Sequence, residues 1–253
     1  MNIVEQKTWL VILAALERLD PQRLGTCIDV GAGDDHYYFE WLYNLGWANT
    51  VVVEPLPNED VKRLCNQYRL RLIEKALDIR VTPLKAVMFS TGNGVNSLLP
   101  IWGNEYHINP VEVTTLWGLM GELEDPPLAL LKLDIEGAEP RMIRDLHNIR
   151  LPLVVSFEFG GHGTLGSRTG GWQETALWDL REGLDRMASL GYHDAYLIAE
   201  VDGQEAMCRR FDPRSQRWPF EDAMVWGNIV ALRQFVNPHD LLEASLGEMR
   251  YRP

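Results

Sequence analysis

The sequence predicts an α/β fold with a mostly parallel sheet of seven strands, helices on both of its faces and an antiparallel strand pair at its C-terminal end. First, β-branched runs such as Thr50–Val53 alternate with helical segments such as 59–68. Second, the glycine turn in 29–33 joins the first strand to a helix. Third, the apolar runs 195–201 and 224–232 have no good helix between them, so they should pair antiparallel at the edge of the sheet.

The remaining elements follow from the same periodicities. An apolar stripe predicts a covering helix over 3–19, which ends at Asp20-Pro21. We expect further strands over 26–30, 70–74, 86–90, 129–135 and 153–159, and further helices over 36–45, after Pro140 and over 173–190. These elements divide the chain into a covering helix at 1–22, an α/β domain at 23–235 and a tail at 236–253.

Composition and charge exclude several classes of partner. The net charge of -12 and a pI near 5.0 would repel nucleic acids and anionic lipid surfaces, and the short arginine pairs at 69–71 and 209–210 are interpreted as solvated faces. The spacing of the three cysteines fits neither a zinc site nor a disulfide scaffold, which favours a reducing compartment. No apolar stretch approaches the roughly 20 residues that span a bilayer. We therefore expect a cytoplasmic protein without nucleic acid or membrane partners.

The turn after the first strand predicts a ligand site. In Asp29-Val30-Gly31-Ala32-Gly33, the glycines permit backbone amides to approach a ligand closely. A dinucleotide fingerprint needs a third glycine where this chain has His36, whose bulk would crowd a diphosphate. Glu54 ends the second strand, where an acidic side chain can accept hydrogen bonds from two ribose hydroxyls. The two features together favour a nucleoside without a diphosphate.

A second cluster of charge follows the buried run 129–133. Strand alternation would place Lys132, Asp134 and Glu136 on one face. In an open α/β sheet the ligand crevice lies at the carboxyl ends of the strands. We therefore expect these side chains at the same site as Glu54, although a purely structural bridge between Lys132 and Asp134 is the alternative.

These segments, with Val53-Glu54-Pro55-Leu56-Pro57, Ala76-Leu77-Asp78 and Lys132–Glu139, resemble the FkbM-type methyltransferase family over roughly 27–160. The resemblance implies a Rossmann-like class I fold, S-adenosyl-L-methionine (SAM) as methyl donor, and O-methylation of a sugar, glycan or polyketide-like small molecule. It also implies contacts of Asp29, Gly31 and Gly33 with the methionine part of the donor, of Glu54 with its ribose, and of Ala76, Leu77 and Asp78 with its adenine. Ala32, Pro55, Lys132 and Asp134 complete the implied donor set. The chain departs from the family pattern at Gly33, which replaces an asparagine, and at Asp35, which replaces a glycine.

Methyl transfer to a hydroxyl needs a group that removes the hydroxyl proton. The candidates are Asp134, Glu136, Glu158 and His162, with Asp134 and His162 preferred as the base. The carboxylates of Asp134, Glu136 and Glu158 are alternatively ligands for a divalent cation such as Mg²⁺. The glycine-rich segment 160–172 is interpreted as a substrate lid.

Two other functions remain open at this stage. An NAD-dependent oxidoreductase would share the glycine turn and Glu54, and a non-catalytic methyltransferase-like interaction protein would keep the fold alone. A homo-oligomer is compatible with the sequence, which does not identify the acceptor.

Overall fold

A computed structural model of the chain describes residues 3–33, 38–79, 85–90, 96–98, 107–160, 174–201, 207–214 and 224–234. The helices are α1 (Ile3–Leu19), α2 (Tyr38–Asn44), α3 (Glu59–Tyr68), α4 (Leu116–Glu122), α5 (Glu139–Asp145) and α6 (Glu174–Ser189), with a short 3₁₀ helix at Leu146–Asn148. The strands are β1 (Thr26–Val30), β2 (Thr50–Val53), β3 (Arg71–Ile73), β4 (Ala76–Leu77), β5 (Lys85–Ser90), β6 (Asn96–Ser97), β7 (His107–Thr114), β8 (Leu128–Leu133), β9 (Val154–Gly160), β10 (Asp194–Val201), β11 (Met207–Phe211) and β12 (Met224–Leu232).

The central sheet is mostly parallel, as predicted, but it has eight strands rather than seven. Its order is β11-β10-β12-β9-β8-β1-β2-β3, and the five strands from β9 to β3 are parallel to one another. The predicted antiparallel pair exists as β10 and β12, and β12 also pairs antiparallel with β9. The pair does not form the edge, because β11 continues the sheet beyond β10. The strand β11 was not predicted from the sequence, because Arg209 and Arg210 are exposed and give no apolar alternation.

The predicted strand over 86–90 lies outside the central sheet. It is part of β5, which pairs antiparallel with β6 and β7 in a separate four-stranded sheet of order β4-β7-β5-β6. Ala76, Met88, Val111 and Val113 form the buried side of this small sheet. Three of its strands escaped prediction because two of them have only two residues, and because β7 contains Pro110 and is mostly exposed.

Helices cover both faces of the central sheet, as predicted. Leu131 and Phe157 pack on one face against α4, α5 and α6, whereas Leu130 and Val154 pack on the other face against α1. The first helix has the predicted bounds, and its buried Ile12 confirms that it covers the sheet. The division of the chain at 22 and 235 stays a prediction, and the tail at 236–253 lies outside the described residues. Within the described segments, no helix combines the length and apolar character that a membrane crossing requires.

Candidate active site

The turn after β1 has a conformation that requires glycine. Gly31 has φ of 75°, and Gly33 has φ of 58°. The amide of Gly31 donates a hydrogen bond to the carbonyl of Val53 at 2.9 Å, which ties the turn to the end of β2. A Cβ atom on Gly31 would lie only 1.7 Å from the carbonyl oxygen of Asp134. The absence of a side chain therefore permits the ends of β1 and β8 to meet.

A cleft of about 590 Å³, a volume that includes space open to solvent, lies at the carboxyl ends of β1, β2 and β8. It is lined by residues of both sheets and of the turns between them: Val30, Gly31, Gly33, Glu54, Pro55, Lys75, Ala76, Leu77, Met88, Leu98, Asp134, Ile135, Glu136 and Ala138. Glu54 and Asp134 thus face the same space, as the sequence predicted.

Glu54 is fixed at one wall of this cleft. Its amide donates to the carbonyl of Ile73 at 3.1 Å, and its Oε1 accepts a hydrogen bond from the amide of Leu56 at 3.0 Å. The side chain is buried, with 5% of its surface exposed. A carboxylate accepts several hydrogen bonds at once, so a held carboxylate at this wall suits a ligand with neighbouring hydroxyls.

Asp29 and Lys132 lie beneath the cleft rather than among its lining residues. They are partners in the parallel register of β1 and β8, and both are buried. Lys132 Nζ lies 3.2 Å from Asp29 Oδ1 and 3.3 Å from Asp134 Oδ2, and it donates to the carbonyl of Gly31 at 3.2 Å. Burial acts to lower the pKa of Lys132, but the charges of Asp29 and Asp134 outweigh it and raise this pKa above its usual value. The ammonium group therefore keeps its proton and links the turn after β1 to Asp134.

β8 ends at Leu133, so the predicted alternation does not extend to Glu136, although Lys132 and Asp134 lie side by side as expected. Glu136 has φ of 56°, in the left-handed region. The buried carboxylate of Glu139 accepts hydrogen bonds from the amides of Ile135 at 2.7 Å and Gly137 at 2.8 Å. These bonds fold the segment back on itself, and the resulting turn places Asp134 and Glu136 together in the cleft wall.

Three carboxylates meet at this turn. Oxygens of Asp134, Glu136 and Glu158 lie within 4.8 Å of one another. Burial, followed by repulsion from Glu136 and Asp134, raises the pKa of Glu158 well above its usual value, and a hydrogen bond to Asp134 acts in the same direction. Burial and repulsion from Asp134 likewise raise the pKa of Glu136. Burial also raises the pKa of Glu139 to about 8. The cluster therefore retains protons that isolated carboxyl groups would lose.

Of the other residues predicted to bind the methyl donor, some line the cleft and some do not. Pro55, Ala76 and Leu77 line the cleft, whereas Ala32 and Asp78 are buried residues outside its lining. The amide of Asp78 donates to the carbonyl of Thr114 at 3.0 Å. His162 and most of the predicted lid at 160–172 lie outside the described residues.

Sequence reasoning missed six lining residues: Val30, Ile135 and Ala138 belong to the motifs already quoted, whereas Lys75, Met88 and Leu98 lie outside them. Met88 and Leu98 belong to the small sheet and the residue after it, and Lys75 directly precedes Ala76. The apolar run of β5 was visible in the sequence, but nothing local indicates that its Met88 side turns toward the ends of the parallel strands. The position of Lys75 beside the predicted adenine segment was the one available signal.

The described residues that line the cleft lie within the segment that matches a known protein family. The model of the FkbM methyltransferase domain matches residues 29–193, which is well over half of the chain and confirms the resemblance found in the sequence. No curated protein and no solved structure gives a match.

Proposed function

Because this chain belongs to the FkbM methyltransferase family, we propose that it transfers a methyl group from SAM to a hydroxyl oxygen of a small, sugar-like or polyketide-like molecule. One observation supports this proposal most directly: Glu54, the Gly31 turn and the Asp134–Glu136 turn line a single cleft at the carboxyl ends of the parallel strands.

The lining residues fit the parts of the donor. Glu54 would accept hydrogen bonds from the ribose hydroxyls, and the backbone at Gly31 and Gly33 would hold the methionine part. Ala76 and Leu77 offer an apolar wall for the adenine ring. Gly33 has no side chain and open space around its Cβ position, so its backbone can approach the donor closely.

Charge favours SAM over a dinucleotide. Among the described lining residues, Glu54, Asp134 and Glu136 are acidic and Lys75 is basic, so acidic side chains exceed basic ones even when Glu136 keeps its proton. A sulfonium cation is attracted by such a wall, whereas the diphosphate of NAD would be repelled by it. The charge of the cleft therefore disfavours an NAD-dependent oxidoreductase independently of the missing third glycine.

Methyl transfer is an in-line displacement in which the acceptor oxygen, the methyl carbon and the sulfur must be aligned. The new C–O bond forms as the C–S bond breaks, the sulfur leaves as a neutral thioether, and the hydroxyl proton passes to a base. We assign the base to the carboxylate cluster, in which Asp134 and Glu136 face the cleft. The raised pKa of Glu136 makes its ionised form a stronger base than an ordinary carboxylate, so the fraction of Glu136 that has lost its proton can accept the proton of the hydroxyl.

Calorimetry with S-adenosylhomocysteine tests the proposal. We expect this product to bind to the folded protein at one site and NADH not to bind. Preferential binding of NADH would support an oxidoreductase instead, and folded protein that binds neither compound would support a non-catalytic interaction protein.

A divalent cation is the alternative role for Asp134, Glu136 and Glu158. Carboxylate oxygens this close together are the ligands that Mg²⁺ prefers, and a bound cation would lower the pKa of the acceptor hydroxyl. Exhaustive chelation separates the two roles. Activity that survives chelation assigns the cluster to proton removal, whereas activity that is lost and restored by Mg²⁺ assigns it to cation binding.

The proposed acceptor is a small molecule, and we propose a cytoplasmic setting for the reaction. The net charge of -12 disfavours nucleic acid and anionic membrane surfaces as partners. A methylation assay with labelled donor and a panel of hydroxylated sugars and polyketides tests the acceptor class, and transfer only to nucleic acid or protein would contradict it.

A further inference from the structure

A residue of the N-terminal helix reaches the buried layer beneath the cleft. Glu5 lies in the first turn of α1, and one of its carboxylate oxygens, Oε2, accepts a hydrogen bond from the hydroxyl of Tyr38. Its other oxygen, Oε1, accepts from Asn228 Nδ2 at 3.2 Å. Both Glu5 and Asn228 lie outside the segment that the family model matches. Both of these contacts of the Glu5 carboxylate therefore involve at least one residue outside the matched segment.

Tyr38 connects Glu5 to the buried ammonium group. The aromatic ring lies over Lys132 Nζ, which is 5.0 Å from the ring centroid. Lys132 has three N–H donors, and three oxygens lie close to it, on Asp29, Gly31 and Asp134. The ring covers a further side of the ammonium group, where a cation and an aromatic face attract each other. A displaced ring would open this side and let the Lys132 side chain move.

Tyr38 is also the first residue of α2, the next helix after the Gly31 turn in the chain. The amide of Phe39 donates to Asp29 Oδ2 at 3.1 Å, and the Tyr38 hydroxyl donates to Glu5. The helix start is thus fixed from two sides, by β1 and by α1. Lys132 also donates a hydrogen bond to the carbonyl of Gly31. The buried groups beneath the cleft therefore fix both Gly31 and Tyr38.

Asn228 extends the connection toward the carboxylate cluster. It is the register partner of Glu158 in the antiparallel pair of β9 and β12. Partners in such a register point to the same face of a sheet, so Asn228 and Glu158 share the α1 side. Glu5 therefore contacts Tyr38, which lies over Lys132, and Asn228, which is the register partner of Glu158.

We propose that Glu5 is a positioning residue of the donor site: through Tyr38 it holds Lys132 and the Gly31 turn in the geometry that binds the methyl donor. The inference rests on the proposed function, because it takes S-adenosylhomocysteine as the ligand of the cleft. Glu5 itself touches neither the cleft nor the ligand. Its effect passes through the ring of Tyr38.

Four variants test the proposal by calorimetry with S-adenosylhomocysteine and by urea unfolding. Glu5→Ala removes the acceptor of the Tyr38 hydrogen bond, and Tyr38→Phe removes the donor but keeps the ring. We expect each to weaken binding about tenfold, and the double variant to bind as Glu5→Ala does, because both changes break the hydrogen bond between Tyr38 and Glu5. Glu5→Gln keeps an acceptor oxygen, so it should bind within about threefold of the unchanged protein.

The control is Glu17→Ala on the same helix. Glu17 is exposed and lies 3.9 Å from Arg23, so its loss should change neither binding nor stability measurably. If Glu5→Ala fails to fold, Tyr38→Phe decides alone, since it preserves the packing of the ring. Folded variants with unchanged affinity, or losses that add in the double variant, would overturn the positioning role. If the unchanged protein binds no S-adenosylhomocysteine, the proposed function fails first and the inference falls with it.

Discussion

Asp29 and Lys132 stand opposite each other in the register of β1 and β8, with the Lys132 ammonium 3.2 Å from Asp29 Oδ1 and both side chains buried. A buried charge pair of this kind contributes little net stability, but the loss of one partner leaves the other charge without compensation. The pair connects two central strands below the cleft. Its main role is therefore to define how those strands and the turns that follow them are arranged.

Lys132→Met should lower the free energy of unfolding by about 3–5 kcal/mol, because Asp29 would remain buried without its counter-charge. Urea unfolding measures the loss. Adding Asp29→Asn should restore part of it, since the acid that then lacks Lys132 is Asp134, which is partly exposed to solvent. Lys62→Met is the matched control: Lys62 pairs with Glu59 on the exposed side of α3, and its loss should cost at most about 1 kcal/mol. Equal losses for the two lysines would contradict the assigned role of the pair.

Gly31→Ala should abolish binding of S-adenosylhomocysteine and destabilise the fold. The new Cβ would lie 1.7 Å from the carbonyl oxygen of Asp134, in addition to the roughly 1–2 kcal/mol that a left-handed backbone costs an alanine. Gly33→Ala separates the two effects, because Gly33 also has positive φ but has open space around its Cβ position. It should lose only the backbone contribution. Calorimetry and urea unfolding compare the variants, and similar losses would mean that the contact with Asp134 is unimportant.

Glu54→Gln should weaken binding of S-adenosylhomocysteine by about ten- to a hundredfold. A hydrogen bond to a charged group is worth about 1.5–3 kcal/mol, and about 1.4 kcal/mol corresponds to a factor of ten in affinity. The isosteric amide keeps one acceptor oxygen for the amide of Leu56 but loses the charge. Glu74→Gln is the control, because Glu74 is an exposed acid in the same region of the chain. Unchanged affinity in Glu54→Gln would remove the ribose contact from the proposal.

The central strands were predictable because their signal is local. Thr50–Val53 is a β-branched run, and its position before Glu54 follows from the rule that ligands bind at the carboxyl ends of parallel strands. Pairing in the small sheet is not local: β7 has Pro110 and several exposed residues, and its partner β5 is separated from it by a long stretch of chain. The presence of that sheet, and therefore of Met88 in the cleft wall, had no signal that periodicity could detect.

The acidic site was predicted in composition but not in geometry. Asp134, Glu136 and Glu158 were expected near one another, and the structure places their oxygens within 4.8 Å. The direction of Glu136 depends instead on a backbone turn with positive φ, held by the two hydrogen bonds that Glu139 accepts. Such a turn depends on a contact between buried groups, which alternation along a strand cannot represent.

The carboxylate cluster should make the protein less stable as the pH rises, and Glu158→Gln should remove part of this dependence. An unfolded glutamate ionises near pH 4.3, whereas burial and its acidic neighbours raise the pKa of Glu158 in the folded protein. Folding therefore takes up a proton between the two pKa values, and the free energy of unfolding falls as the pH rises through this window. Below about pH 4.3 both states are protonated, and Glu158 contributes no pH dependence.

Urea unfolding at pH 5, 7 and 9, with a chelator present, measures the effect as a difference between variant and unchanged protein. The side-chain amide that Glu158→Gln introduces imitates the protonated acid and can donate to Asp134, so the variant should gain stability relative to the unchanged protein as the pH rises, by at most about 1.4 kcal/mol per pH unit. Glu59→Gln on the exposed side of α3 should show a constant difference over the same range. A constant difference for Glu158→Gln would mean that Glu158 ionises in the folded protein as it does in the unfolded chain, and its acidic neighbours would then not raise its pKa.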